Sequence, residues 1–167
     1  MSESVIRPLP ITAERFARFG DVIHASASAR SAMNDARFER FHDLANVDVA
    51  EAGGRAAISI ARCRTATTFP HLIDMVERHP HGSQAFIPLQ PFSFIVVVAP
   101  ATEAVDVSDL CAFVTDGTQG INYHKGVWHM PMIALQSGQQ FLIVDRVPSD
   151  DNCEEFVLGE PLTLEAP

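Results

Sequence analysis

The sequence predicts an all-β sandwich or barrel with minor helices, and three observations carry that expectation. From residue 56 onward, short β-prone runs follow one another closely. Turn-forming Gly, Pro and Asp clusters separate them. The strands do not alternate with long amphipathic helices, which argues against a Rossmann-like parallel sheet. Periodicity alone does not choose between sandwich and barrel.

The first element is a short helix. Thr12 caps it, Glu14 sits in its first turn and Gly20 stops it. Phe16 and Phe19 share one face, which docks on the body of the protein. Ala25 to Asp35, rich in Ala and Ser, reads as a surface loop. The predicted strands are Ala56–Cys63, Phe86–Leu89, Phe92–Ala99, Cys111–Thr115, Met132–Gln136 and Gln140–Asp145, with Glu154–Leu158 a further candidate. Asp106 to Leu110 suits one helical turn capped by Asp106 or Ser108. Gly159 to Pro167 reads as a tail pairing along an edge. Gly82, Gly120 and Gly126 are candidates for positive backbone angles in turns.

With 167 residues, no internal repeat and no composition break, the chain reads as a single domain over 1–167. A formal net charge of −9 and a single lysine, Lys125, leave no basic stripe for nucleic acid and little attraction to an anionic membrane surface. An anionic substrate would therefore need a locally cationic pocket. Cys63, Cys111 and Cys153 are odd in number and widely spaced, which suits a reducing compartment and packing roles. Met1–Pro10 lacks the apolar core of a signal peptide, and Phe92–Ala99 is too short to span a bilayer as a helix. Both features point to the cytoplasm.

Chemistry concentrates in two segments, 77–88 and 117–131, which hold four of the seven histidines. Glu77 and His79 are two residues apart, so on a strand both side chains share a face. Gln84 follows, and the run His124-Lys125-Gly126-Val127-Trp128-His129 supplies a further histidine after a glycine. This spacing is similar to the two metal-binding motifs of cupins, with Glu77, His79, Gln84 and His129 at the four ligand positions. Imidazole and carboxylate suit a divalent metal such as Ni, Mn or Zn, whereas the neutral amide of Gln84 is a weak ligand, so the pocket holds either such an ion or none. Trp128 reads as a wall residue. No Gly-x-Ser-x-Gly elbow and no cysteine lies in either segment, which disfavours nucleophilic hydrolysis.

These segments resemble the ureidoglycolate lyase family along nearly the whole chain. The resemblance runs through Phe19-Gly20-Asp21-Val22-Ile23, Arg40-Phe41-His42-Asp43-Leu44, Glu77-Arg78-His79-Pro80 and Gly82-x-Gln84-Ala85-Phe86-Ile87-Pro88. Its most specific stretch is Gln119-Gly120-x-Asn122-Tyr123-His124 with Val127-Trp128-His129-x-Pro131, followed by Asp145-Arg146 and Asp151-Asn152-Cys153. His81 and Lys125 depart from the family's pattern. The resemblance implies a cupin-like β-barrel (the double-stranded antiparallel β-helix, or jelly roll), a homodimer, and cleavage of (S)-ureidoglycolate to glyoxylate and urea in allantoin degradation.

Such an elimination consumes no water and needs only a proton acceptor, a proton donor and charge stabilisation. His124 and His129 are the candidate bases, and His124 is preferred if His129 binds metal. Lys125 is a further catalytic candidate. Arg40, Arg62 and Lys125 are the candidate cations for the substrate carboxylate, Arg62 on the condition that Ile58 and Ile60 face inward. Arg40 has a competing use in a loop ion pair with Asp43. The alternatives are an amidohydrolase releasing ammonia and carbon dioxide, a non-catalytic sensor of small carboxylates, and an iron dioxygenase.

Overall fold

The computed structural model describes residues 4–25, 30–148 and 151–167. The first strands, β1 (Ser4–Ile6) and β2 (Leu9–Pro10), lead into the single helical turn α1 (Ala13–Phe16). Thr12 caps it as expected, its hydroxyl accepting from the Arg15 N–H at 3.2 Å. Gly20 does not stop this helix; it opens β3 (Gly20–Ile23). β4 (Arg30–Met33) and β5 (Phe38–Phe41) form a hairpin where a loop was expected; residues 26–29 of that expected loop lie outside the described residues. The body then follows as β6 (Arg55–Arg62), β7 (His71–Arg78), β8 (Gln84–Pro88), β9 (Phe94–Ala99) and β10 (Cys111–Val114). It closes with β11 (Gly120–Tyr123), β12 (Trp128–His129), β13 (Ile133–Ala134), β14 (Gln140–Val147) and β15 (Glu154–Leu164). A 3-10 turn at Val107–Asp109, capped by Asp106, matches the helical turn read from the sequence.

The strands make two main sheets. One runs β1-β15-β7-β12-β9-β10-β2 with β13 also on β9, and the other runs β3-β11-β8-β14-β6. The larger sheet curls strongly, and the whole is an all-β, cupin-like barrel. β9 explains how it is held together, because its apolar run is buried on both faces. Phe94, Val96 and Val98 enter one core with Phe16, Phe19, Phe113, Ile121 and Phe141. Ile95, Val97 and Ala99 enter a second core with Ile73, Val76, Trp128 and Leu164. Phe141 is fully buried, with the rings of Phe92 and Phe94 edge-on at 5.0 and 5.1 Å.

Three further expectations change. β7 went unread because its buried Ile73 and Val76 are three apart among charged neighbours, which is not strand alternation. The C-terminal segment does not lie along an edge: β15 sits between β1 and β7. Ile58 and Ile60 face outward on the edge strand β6, 74% and 64% exposed, so Arg62 points outward with them. No helix among the described residues is long and apolar enough to cross a membrane.

Candidate active site

Strand register assembles the centre of the site. In β12, His129 lies directly opposite Glu77 of β7, so their side chains emerge side by side. His129 Nε2 stands 3.6 Å from Glu77 Oε1, an ion-pair separation beyond hydrogen-bond length. His79 follows Glu77 on the same face, its ring centroid 5.1 Å from that of His129. One ligand atom from each of Glu77, His79 and His129 lies within 4.8 Å of the others. These are three of the four residues aligned from the spacing. The fourth, Gln84, begins β8 and donates through Nε2 to Asp145 Oδ2 at 3.3 Å.

The tautomers of both histidines follow from their backbone partners. His79 Nδ1 donates to the Asn152 carbonyl at 2.6 Å, and His129 Nδ1 donates to the Val127 carbonyl at 3.1 Å. In the neutral form of each ring Nε2 is then the acceptor nitrogen, and both Nε2 atoms are buried without a hydrogen-bond partner among the described residues. Two orphaned imidazole nitrogens beside a carboxylate fit the donor chemistry of a divalent metal. Once protonated, the neighbouring His129 holds the Glu77 carboxyl below its ordinary range, outweighing the effect of burial. Tyr123 stacks on His129 at 4.3 Å, and burial pushes its phenol far above its ordinary range, so it stays neutral.

A cavity of about 150 Å³ adjoins this centre, lined by His79, Ser83, Gln84, Asp145, Arg146, Asn152 and Cys153. A larger groove of about 760 Å³ lies elsewhere, between β1, the 107–109 turn and β15. It offers Asp106 and Glu160 but neither histidine nor cation, which does not suit an anionic substrate. Cys153 is not a packing residue like Cys63 and Cys111. It is exposed at the cavity, its thiol 3.8 Å from Glu77 Oε2. Burial and then the Glu77 charge push that thiol up, away from the reactive thiolate.

The cation of this cavity is Arg146, which is buried. Its Nε and Nη2 donate to the Glu51 carbonyl at 3.1 and 2.9 Å, Nη2 to the Ala52 carbonyl at 3.3 Å, and Nη1 to the Pro148 carbonyl at 2.5 Å. No carboxylate forms an ion pair with it among the described residues. Two glycines make room for it. A Cβ on Gly54 would lie 2.3 Å from Arg146 Nε, and one on Gly82 2.7 Å from Arg146 Cβ. Gly82 and Gly120 are thus required for space, whereas Gly126 has the positive φ anticipated, +78°.

The remaining candidates stand apart from the cavity lining. His124 Nε2 pairs with Asp21 Oδ2 at 3.2 Å. Burial works to raise the Asp21 carboxyl, but hydrogen bonds from Asn122, the Asn46 N–H and His124 hold it below its ordinary range. Lys125 Nζ lies 2.6 Å from Glu51 Oε2 and 3.3 Å from Asp48 Oδ2, latching the segment that precedes β6. Lys125, helped by His81, depresses the Glu51 carboxyl to about 2. Arg40 is exposed on the β4–β5 hairpin, with no ion pair to Asp43 among the described residues. Arg62 packs on its β14 neighbour: with the Gln140 amide turned to satisfy both groups, its carbonyl accepts from Arg62 Nη2 at 2.6 Å and Nε at 2.7 Å. The spacing rules did not single out Asp145, Arg146, Asn152 and Cys153 as site residues, because they come from β14 and the stretch after it. The signal that could have found them was their place in the family pattern.

The model of the ureidoglycolate lyase family matches residues 3–165. The chain belongs to that family. A ureidoglycolate lyase of Pseudomonas syringae pv. tomato is 46% identical over 151 residues, covering 90% of this chain and 88% of the relative. One from Burkholderia mallei is 48% identical over 155 residues, covering 93% of this chain and 90% of the relative. One from Pseudomonas putida is 46% identical over 155 residues, covering 93% and 92%. Within the family's pattern, the Glu77–His79–His129 centre joins the 77–88 segment to the Val127-Trp128-His129 segment through the β7–β12 pairing.

Proposed function

We propose that this chain is a lyase that cleaves (S)-ureidoglycolate to glyoxylate and urea, as a step of allantoin degradation. The observation that carries the reading is the pair of buried, unpartnered Nε2 atoms of His79 and His129 beside the Glu77 carboxylate, at a small cavity, in a chain of this family.

The reaction is a proton shift coupled to bond cleavage. The base removes the carbinol O–H proton, the oxygen lone pair becomes the C=O bond of glyoxylate, and the C–N bonding pair leaves on the ureido nitrogen. His129 Nε2 takes the proton, and Glu77 at 3.6 Å steadies the imidazolium that forms. The same proton, handed on to the departing nitrogen, completes urea, so the balance needs neither water nor an external acid. Stacking on Tyr123 and the Val127 carbonyl hold the imidazole in place. Arg146 supplies the cavity of an acidic protein with a positive charge at which the substrate carboxylate can be held, away from Asp145.

The same atoms would hold a divalent ion such as Ni, Mn or Zn through Glu77, His79 and His129, with Gln84 adjoining. Such an ion would polarise the substrate hydroxyl as a Lewis acid. His129 is then no longer free to take a proton, so chelation separates the two uses of the site. The deciding experiment incubates the protein with ureidoglycolate before and after chelation and measures both urea and ammonia. Urea release supports the lyase, and its loss on chelation assigns the metal. Ammonia release would replace this reading with the amidohydrolase, and binding without turnover would replace it with the sensor.

We further infer a cytoplasmic homodimer. Phe38 and Met33 on the exposed hairpin, with Ile58 and Ile60 on β6, are apolar surface of the kind a second copy covers. Sedimentation velocity at micromolar concentration reads this directly: a monomer would refute it.

A further inference from the structure

The cavity presents a carboxylate that takes no part in this proton shift. Asp145 lies on β14 and lines the cavity with His79 and Gln84. Among the described residues no cation pairs with it, and the one hydrogen bond to its side chain is from Gln84 Nε2 at 3.3 Å. Gln84 Oε1 accepts no hydrogen bond among the described residues. The cavity wall thus offers two adjacent acceptors, a free carboxylate oxygen and an amide oxygen, tied to each other by that hydrogen bond. An unpaired carboxylate would repel the carboxylate of an anionic ligand. A partly buried one calls for N–H donors.

We infer that Asp145 and Gln84 form a subsite for the ureido group, with the Asp145 carboxylate and Gln84 Oε1 accepting from its terminal NH₂. The inference rests on the lyase reading and deepens it. The ureido end is the nitrogen-donor end of that substrate, and a carboxylate beside an amide oxygen is complementary to an NH₂ that carries two hydrogens. The histidines are near for the reacting end: His79 lines the same cavity, and His129 stands next to His79. Asp145 would hold the leaving group and select ureido compounds over amides that end in a methyl group.

N-carbamoylglycine, which lacks the hydroxyl and so cannot undergo the cleavage, probes this subsite directly. N-acetylglycine is its control, with methyl in place of the terminal NH₂. Calorimetric titration of the wild-type protein is expected to show roughly 10- to 100-fold tighter binding of N-carbamoylglycine, the range for a hydrogen bond to a charged group. In Asp145→Asn that preference should collapse to within about twofold, while N-acetylglycine affinity holds. The variant Gln84→Leu should lower the preference in part. A preference that survives in Asp145→Asn, or one absent from the wild-type protein, overturns the proposal. A parallel loss for both ligands would also overturn it, since that is the mark of a residue that only shapes the cavity. Urea release from ureidoglycolate is measured on the same samples. If the wild-type protein prefers N-carbamoylglycine but releases no urea, the lyase reading fails while the subsite stands.

Discussion

Replacing Arg146 with methionine removes a buried charge and its donors while keeping much of the side chain's volume. Three carbonyls lose their partners: those of Glu51, Ala52 and Pro148. A hydrogen bond from a charged donor contributes about 1.5–3 kcal/mol net. All three carbonyls belong to exposed residues, so water replaces part of what is lost. The expected destabilisation is therefore about 3 kcal/mol, nearer one such bond than the sum of three. For a chain of this size that corresponds to a fall in Tm of roughly 6–12 °C. Urea denaturation with matched m-values and calorimetry measure it. The kinetic consequence is separate: without the guanidinium field, KM for the anionic substrate should rise. Arg146→Lys should restore much of KM but little of the stability, because an ammonium cannot span three carbonyls. Unfolding within about 0.5 kcal/mol of the wild-type value would show that the guanidinium does not hold the Glu51, Ala52 and Pro148 carbonyls in place. An unchanged KM in a folded Arg146→Met protein would show that it does not attract the substrate.

Gly54→Ala should lower stability by about 1–3 kcal/mol, the usual range for overpacking, since its Cβ would meet both Arg146 Nε and the Val49 carbonyl at 2.3 Å; denaturant midpoints test this, and an unshifted midpoint counts against the cradle. Lys125→Met should raise the Glu51 carboxyl from about 2 toward its ordinary value of 4.5, as followed by NMR of the side-chain carboxyl. Glu51 titrates lower folded than unfolded, so its contribution is full above about 4.5 and is lost as pH falls toward 2; Lys125→Met should flatten the acid limb of the stability profile in that window. His129→Asn should lower kcat by roughly 10²–10⁴-fold with the fold intact, the range for losing a general base; turnover near the wild-type rate would remove His129 from the chemistry. Phe141→Ala should cost about 3–5 kcal/mol of stability, because it empties a fully buried ring position among three aromatic neighbours.

Much of the β architecture was legible because its signal is local. The apolar run 94–99 announces a strand buried on both faces, and turn residues mark where chains reverse. β7 was not legible, since its charges and three-residue apolar spacing carry no strand period; pairing with β12 and β15 makes it a strand. Neither was the outward turn of Ile58, Ile60 and Arg62. Alternation says that the three share a face but not which face; their register opposite Val144, Leu142 and Gln140 of β14, whose Phe141 and Ile143 pack inward, decides that.

The site divides along the same line. By itself the sequence set Glu77 and His79 two residues apart and aligned His129 with them by motif. Only the tertiary structure decided which polar residues meet. The register of β12 against β7 sets His129 on Glu77, and β14 carries Asp145 and Arg146 to the cavity from more than fifty residues away in the chain. It also set Lys125 against Glu51 and Asp48, and His124 against Asp21. Spacing along a strand is local and survives in the sequence. Strand order, the face a sheet turns inward, and the partner a charge finds depend on the distant segments that pack beside it, so they exist only once the chain has closed.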